Sequence, residues 1–302
     1  MRTSQIRVER LAGNPIIAPF AERRMGANVN GPSVIRCPDW LAGRLGKYHM
    51  YFAHHLGSYI RLAYADRVEG PWSIYSPGVL DLSQAPFLYE HIASPDVHVD
   101  HERRELRMYF HGISAPEPLR DPVQSSCVAH SFDGLTFAAR PELLGNSYFR
   151  AWQYDGCWFA LSLGGRLWRS GDGLAPFVEG CRPDGLTQNV RHLAVHHTGD
   201  WLWVAWTNRG DAPERIFLGR IDLRGDWSGW EIEETLELLR PEKAWEGADQ
   251  PVSPSQPGIV VPPSHQLRDP CFFEDDGQMY LFYAVAGESG IAVARLFGME
   301  DG

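Results

Sequence analysis

One short pattern constrains this chain more than any other feature: a strand dense in aromatic and aliphatic residues that returns five times. It reads Tyr48-His-Met-Tyr-Phe-Ala53, Leu106-Arg-Met-Tyr-Phe110, Cys157-Trp-Phe-Ala-Leu161, Trp201-Leu-Trp-Val-Ala-Trp206 and Met279-Tyr-Leu-Phe-Tyr283, at intervals of roughly 45 to 75 residues. β-Branched and aromatic side chains suit a pleated, half-buried surface, so each run is read as a strand. An extended run precedes each, at residues 32–35, 96–99, 149–152, 192–195 and 270–273, through turns such as Asp155-Gly156 and Asp276-Gly277. A third strand follows, at 60–65, 126–130, 166–169, 215–221 and 290–296. Polar turns and a ring end the unit, as in Ser131-Phe-Asp-Gly134 before Phe137 and Ser170-Gly-Asp-Gly173 before Phe177.

Each unit is a four-stranded meander, and five of them around an axis predict an all-β, five-bladed β-propeller. Only six residues follow Leu296, too few for a fourth strand, whereas residues 5–9 alternate like a strand and belong to no blade. The N-terminal strand is therefore expected to complete the last blade and close the ring, giving one domain over residues 1–302. A two-sheet sandwich also uses many short strands, but it does not require five matched units.

Composition agrees: 11 Trp, 11 Tyr and 14 Phe supply the strands, and 30 Gly with 22 Pro supply the turns. A net charge of −10 opposes a nucleic-acid backbone or an anionic membrane as main partner. No apolar run approaches the roughly 20 residues of a spanning helix, and residues 1–11 do not read as a signal peptide, so a cytoplasmic location is expected. The five cysteines are far apart with no CxxC pair and are expected to be buried free thiols.

In a meander, the start of strand one and the end of strand two lie at the same end of the blade. One face should therefore gather Asn28, Asn30, Ser94, Asp96, Tyr148, Arg150, Arg191, His192, Arg268 and Asp269 with His54, His55, His111, Ser162, Thr207 and Asn208. Two long connections, 75–93 and 236–266, open on this face, and loops of such length are commonly functional. The second carries Trp245, Glu246 and Asp249 and reads either as a lid whose Trp stacks on a ligand or as a proline-stiffened surface loop.

Three motifs carry a resemblance. They are Ser94-Pro-Asp-Val-His98 followed by Leu106 to His111, Tyr59-Ile-Arg-Leu-Ala-Tyr-Ala-Asp66 with Glu69-Gly-Pro-Trp72, and Arg268-Asp-Pro270 followed by the strand at 279–283. With them the chain resembles the five-bladed glycoside hydrolases, the superfamily of families 43, 32, 62, 68, 117 and 130. The resemblance implies carboxyl groups at the axial mouth, because an oxocarbenium-like transition state needs negative charge on one side and a proton donor on the other. This sequence departs from that pattern. Asn30-Gly31-Pro32 stands where an Asp-Pro is usual, and the third and fourth inner strands begin Tyr148-Phe-Arg150 and Arg191-His192 without a carboxylate.

The catalytic candidates are accordingly Asp96 and Asp269, with Glu90 as an acid and His98, two residues from Asp96 and on the same side of its strand, as a proton carrier. The substrate-binding candidates are Asn30, His54, His111, Tyr148, Arg150, Trp152, Arg191, His192, Trp245 and Arg268. The arginines could read a carboxylate or phosphate through bidentate bonds, or pair internally with Asp96 and Asp269. No cofactor is expected; the alternative is a divalent ion held at the axis by histidines, which no HxxxH or HExxH spacing supports. The leading expectation is a family 43-like hydrolase acting on a small glycan or glycoside at the axial pocket. Its rivals are a propeller that binds a sugar or metabolite without turnover, and a lyase or isomerase using His and Arg.

Overall fold

The computed structural model describes residues 6–114 and 123–299, and arranges them as five antiparallel sheets. Blade 1 comprises Asn30–Arg36, Tyr48–Ala53, Tyr59–Ala65 and Ser73–Asp81. Blade 2 comprises Leu88–Asp100, Glu105–Ser114 and Gln124–Ser131, with short edge pieces at Ala138–Ala139 and Gly145–Asn146. Blade 3 comprises Arg150–Tyr154, Cys157–Ser162, Arg166–Ser170 and Val178–Glu179. Blade 4 comprises Val190–Thr198, Trp201–Asn208, Ile216–Asp222 and Glu233–Leu239. Blade 5 comprises Arg268–Asp275, Gln278–Ala284 and Ile291–Phe297. All five ring-rich repeats are second strands, as the sequence predicts.

The fourth strand of blade 5 is Arg7–Arg10, paired antiparallel with the last strand from Arg7 opposite Phe297 to Arg10 opposite Ala294. Gln5, the first residue of the expected closing strand, lies outside the described residues. Closure is reinforced from the side. The Arg10 guanidinium reaches the fully buried Glu246 at 2.8 Å, and Glu246 also accepts from the Tyr283 hydroxyl at 3.0 Å.

The core follows the ring. Five hydrophobic clusters occupy the five gaps between neighbouring blades, for example Met50, Phe52, Phe273 and Phe282 between blades 1 and 5, and Leu161, Val204 and Trp230 between blades 3 and 4. The Ser-x-Asp-Gly turns lock one blade to the one before it. The Tyr51 hydroxyl donates to the Gly134 carbonyl and the Tyr109 hydroxyl to the Gly173 carbonyl, each at 3.0 Å. Gly173 has φ +69°, and a Cβ there would lie 2.5 Å from the Tyr109 oxygen, so the close approach requires glycine. Removing such a hydroxyl leaves a buried carbonyl unpaired, which costs about 1 to 3 kcal/mol.

Two expectations change. Most of residues 75–93 is structured: it holds the last strand of blade 1, a capped 3-10 turn at Leu82–Gln84 and the first residues of the long inner strand of blade 2. The five thiols are free, but Cys37 and Cys127 are buried whereas Cys181 is exposed. No helix of the described residues is long and apolar enough to cross a membrane.

Candidate active site at the axial mouth

The inner strands do not enter the axis in perfect register. Pairing with the second strand is interrupted between Asn30 and Ser33, Ala93 and Asp96, Val190 and Leu193, and Arg268 and Cys271. The skipped residues are Gly31-Pro32, Ser94-Pro95, Arg191-His192 and Asp269-Pro270. Gly31, Ser94 and Asp269 have φ of 60°, 54° and 46°, and Tyr148, just before the inner strand of blade 3, has 69°. Left-handed backbone at non-glycine residues costs on the order of 1 to 3 kcal/mol and persists where the surroundings enforce it. Bulges of this kind re-aim side chains. Here Ser94, Tyr148, His192 and Asp269 come to line one cavity of about 220 Å³, together with Asn30, His55, His111, Gln124, Arg191 and Arg209.

Asp269 is the carboxylate of that lining among the described residues. Its Oδ1 accepts the Tyr148 hydroxyl at 2.9 Å, whereas its Oδ2 is buried without a hydrogen-bond partner among the described residues. Burial, reinforced by the negative charge of Glu288, raises its pKa to about 6 against the opposing pull of Tyr148, Arg150 and Arg268. The backbone N–H of Asp269 points at His192 Nδ1 at 3.4 Å, which places the imidazole proton on Nε2, 3.5 Å from Asp269 Oδ1. His192 is neutral there, because burial and the charges of Arg191 and Arg268 hold its pKa well below the ordinary value. The contact is therefore a dipolar one.

Two carboxylates that sequence reasoning missed stand behind the cavity wall. Glu214 accepts the Thr207 hydroxyl at 2.8 Å and faces Arg268 at 3.2 Å and Arg191 at 3.4 Å. Glu288 holds Arg268 at 2.8 Å, His55 at 2.9 Å and the Asn28 amide at 2.6 Å. Burial opposes its ionisation, yet the bond from His55 and the charge of Arg268 bring its pKa down to about 2. Both glutamates are fully buried and lie where the third strands of blades 4 and 5 begin. Strand-three starts share the face of strand-two ends, so the meander itself held the signal.

The arginines are engaged internally, with partners other than those expected. Arg268 is clamped by Glu214, Glu288 and Gln266. Arg191 donates to the carbonyls of Gln256 at 2.7 Å and Gly258 at 2.5 Å, fastening that segment over the mouth. Arg150 lies under the cavity, bonded to the carbonyls of Ser94, Phe149 and Leu193 and stacked 4.2 Å from the Tyr148 ring.

The remaining expected residues divide. Asn30, His111, Tyr148, Arg191, His192 and Asp269 meet at the cavity, and Arg150 and Arg268 support it. Asp96 does not line it. Its carboxylate is taken by the Ala151 N–H at 2.8 Å and His98 at 3.0 Å, and although burial alone would raise its pKa, His98 and Arg150 keep it below the usual range. Its partner His98 opens instead on a separate depression at the other end of the axis, which Trp152 also lines. Trp152 packs on Phe159 with ring centroids 5.7 Å apart. Glu90 is exposed and away from the cavity. His54 turns aside to accept the Leu56 N–H at 3.0 Å, so that His55 faces the cavity in its place. Trp245 is packed against the core between blades 4 and 5, with the buried Glu246 beside it as an anchor, and forms no lid. No cluster of three or more His, Cys, Asp or Glu suited to a metal occurs among the described residues.

No family profile matches the chain. A mimivirus protein, "Uncharacterized protein R118" of Acanthamoeba polyphaga mimivirus, is 38% identical over 300 aligned positions, covering 89% of this chain and 83% of that protein. The chain belongs to the family of this viral protein. Solved structures of low sequence identity share its fold. A family 43 glycoside hydrolase from Xanthomonas citri has a TM-score of 0.62 at 15% identity, covering 93% of this chain and 90% of its own. A glycosyl hydrolase from Bacteroides ovatus gives 0.67 at 12%, covering 96% and 93%. A structure reported for the family 130 mannoside phosphorylases and hydrolases gives 0.65 at 12%, covering 98% and 94%. The R118-like chain thus has the five-bladed propeller shared by these glycoside hydrolases.

Proposed function

We propose that the axial pocket cleaves the glycosidic bond of a small glycan or glycoside, with Asp269 as proton donor. The observation that carries this is the state of Asp269: buried in the cavity wall, with a pKa of about 6 and one carboxyl oxygen unengaged. A carboxyl near 6 is still protonated in an appreciable fraction of molecules at neutral pH, and can hand its proton to a departing glycosyl oxygen. Tyr148 fixes the other carboxyl oxygen and so orients the group. The cavity volume of about 220 Å³ lies below the roughly 300 to 1,000 Å³ of drug-sized sites, which suits one sugar unit at a time.

Most glycosidases place a second carboxylate across the bond. Glu214 and Glu288 are counter-ions of Arg268 behind the wall, which favours a single displacement: water bonds to the anomeric carbon as the bond to the leaving oxygen breaks and that oxygen takes the Asp269 proton, and the added water then releases a proton to bulk solvent, from which Asp269 is reprotonated. The propeller-fold glycoside hydrolases named above support the substrate class. A panel of nitrophenyl glycosides tests the reading: Asp269→Asn is expected to lose about 10²- to 10⁴-fold in kcat, and unchanged turnover would remove Asp269 from the mechanism. The single carboxylate of the lining also favours a second reading, sugar binding without turnover. Under it, sugars raise the melting temperature of the wild type while no glycoside releases nitrophenol.

A further inference from the structure

We infer that the end of the axis opposite the mouth carries a second ligand site, which takes a small organic monocarboxylate on the Arg107 guanidinium. Two depressions of about 500 and 650 Å³ open there and share Arg103, Arg107, Gln153, Trp158 and His197. They form where the first strands of blades 2, 3 and 4 turn into the second, at the far end of each blade from the bulges that build the axial cavity. Each volume falls within the roughly 300 to 1,000 Å³ of small-molecule sites. The site is independent of the glycosidic reading.

Arg107, on the second strand of blade 2, is 3% exposed and forms no ion pair among the described residues, although a buried cation is ordinarily paired. Its Nη1 donates to the Asp172 carbonyl at 2.9 Å and lies 3.5 Å from the Tyr109 hydroxyl, while the guanidinium sits 4.5 Å from the centre of the Trp158 ring. These contacts fix its position and engage one nitrogen. Nε and Nη2 bond to no described residue, and neither is sealed from solvent. Together they are the side-on fork that matches the two oxygens of a carboxylate.

Trp152 points to a ligand independently. It is 4% exposed and lines the larger depression, and its indole N–H is buried with no partner among the described residues. A buried donor left unpaired is destabilising, and an acceptor entering the depression relieves it. The acidic side chains of the lining set the charge of that acceptor. Asp100 is held by Arg103 at 2.9 Å and Asp172 by backbone N–H groups of its own turn, but Glu102 and Asp155 are exposed at the rim and Glu105 is half-buried. A phosphate dianion meets this negative rim with about twice the repulsion of a monocarboxylate. The Trp158 ring in the shared wall suits an acid with a ring-shaped, apolar body.

The experiment is calorimetric titration of the whole chain with benzoate, indole-3-carboxylate and cyclohexanecarboxylate, with the corresponding amides, and with inorganic phosphate. At least one acid should bind at up to about 10 mM, with its amide and phosphate about tenfold or more weaker. Arg107→Lys, which keeps the charge and loses the fork, should weaken that acid about tenfold or more. Arg209→Gln, at the axial rim, should bind it as the wild type does. Melting temperatures show which variants are folded. Should Arg107→Lys not fold, Trp152→Phe, which keeps a ring and loses the N–H, carries the test with an expected loss of about threefold or more. Failure of every acid to bind overturns the inference, as does equal binding of the amide, tighter binding of phosphate, or unchanged binding by the folded variant at Arg107 or, in its place, Trp152. Loss of binding in folded Arg209→Gln also overturns it, by moving the acid to the axial mouth.

Discussion

Two aspartates beside prolines, Asp96 in blade 2 and Asp269 in blade 5, read almost alike in sequence and end in opposite situations. Asp269 precedes its proline, lies within the register break with left-handed backbone, and faces the cavity. Asp96 follows its proline, is back in register opposite Tyr109, and is sealed by Ala151 and His98. The residue sent to the mouth is therefore the one inside the bulge. In blade 2 that residue is Ser94, and in blade 1 it is Gly31, which has no side chain to present. Burial shifts one carboxyl toward its protonated form, and hydrogen bonds hold the other ionised.

The same substitution at both sites puts this contrast to the test. The largest effect is expected on catalysis: if the protonated form of Asp269 is the donor, as proposed, kcat/KM on a nitrophenyl glycoside should fall about tenfold per pH unit above pH 6, and Asp269→Asn should flatten that limb. A limb that persists in Asp269→Asn would assign it to another group. Next comes Asp96→Asn. The folded-state pKa of Asp96 is lowered, so its ionised form stabilises the fold above the ordinary carboxylate range and that contribution is lost as pH falls. Urea unfolding at pH 7 should show a loss of about 1 to 3 kcal/mol, shrinking toward acid pH.

Asp269→Asn should do the reverse. A raised folded-state pKa means that the native state gives up stability as pH climbs from about 4 through 6. Removing the charge should then add on the order of 2 kcal/mol at pH 8 and little at pH 4, as urea titrations at the two pH values would show. Equal or lower stability at pH 8 would mean that Asp269 is not a buried, reluctant anion. The smallest effect belongs to Glu90→Gln. It is exposed and outside the cavity, so both activity and melting behaviour should stay within about 0.5 kcal/mol of wild type.

The propeller was legible because each blade repeats a pattern that physics enforces locally: rings on the second strand, turn formers between strands, and glycine where a hydroxyl approaches. The site was legible only by topology. Gathering strand starts and ends on one face located Asn30, His111, Tyr148, His192 and Asp269, because meander connectivity alone brings them together. Which atoms face the cavity depends on a one-residue break in pairing and on φ, and neither is written in a single sequence. His54 and His55 differ by one position and exchange roles through such a turn. Trp152 and Trp245 were misplaced for a related reason: a tryptophan in a propeller with this many blade contacts is more readily spent on packing than on a ligand. Glu214 and Glu288 were overlooked because carboxylates were sought on the inner strands and in the two long connections, not at the starts of the third strands.

The closing strand also imposes an order of events. Arg7–Arg10 pairs with Ile291–Phe297, nearly the whole chain away. At about 5 to 20 residues per second, that partner emerges from the ribosome roughly 15 to 60 s after the first strand. Through this interval the leading segment is an unpaired edge of the type that recruits foreign strands, and Asp269, on the blade it seals, is among the last parts of the mouth to be made. A truncated nascent chain would thus present four blades and an open seam before it presents Asp269.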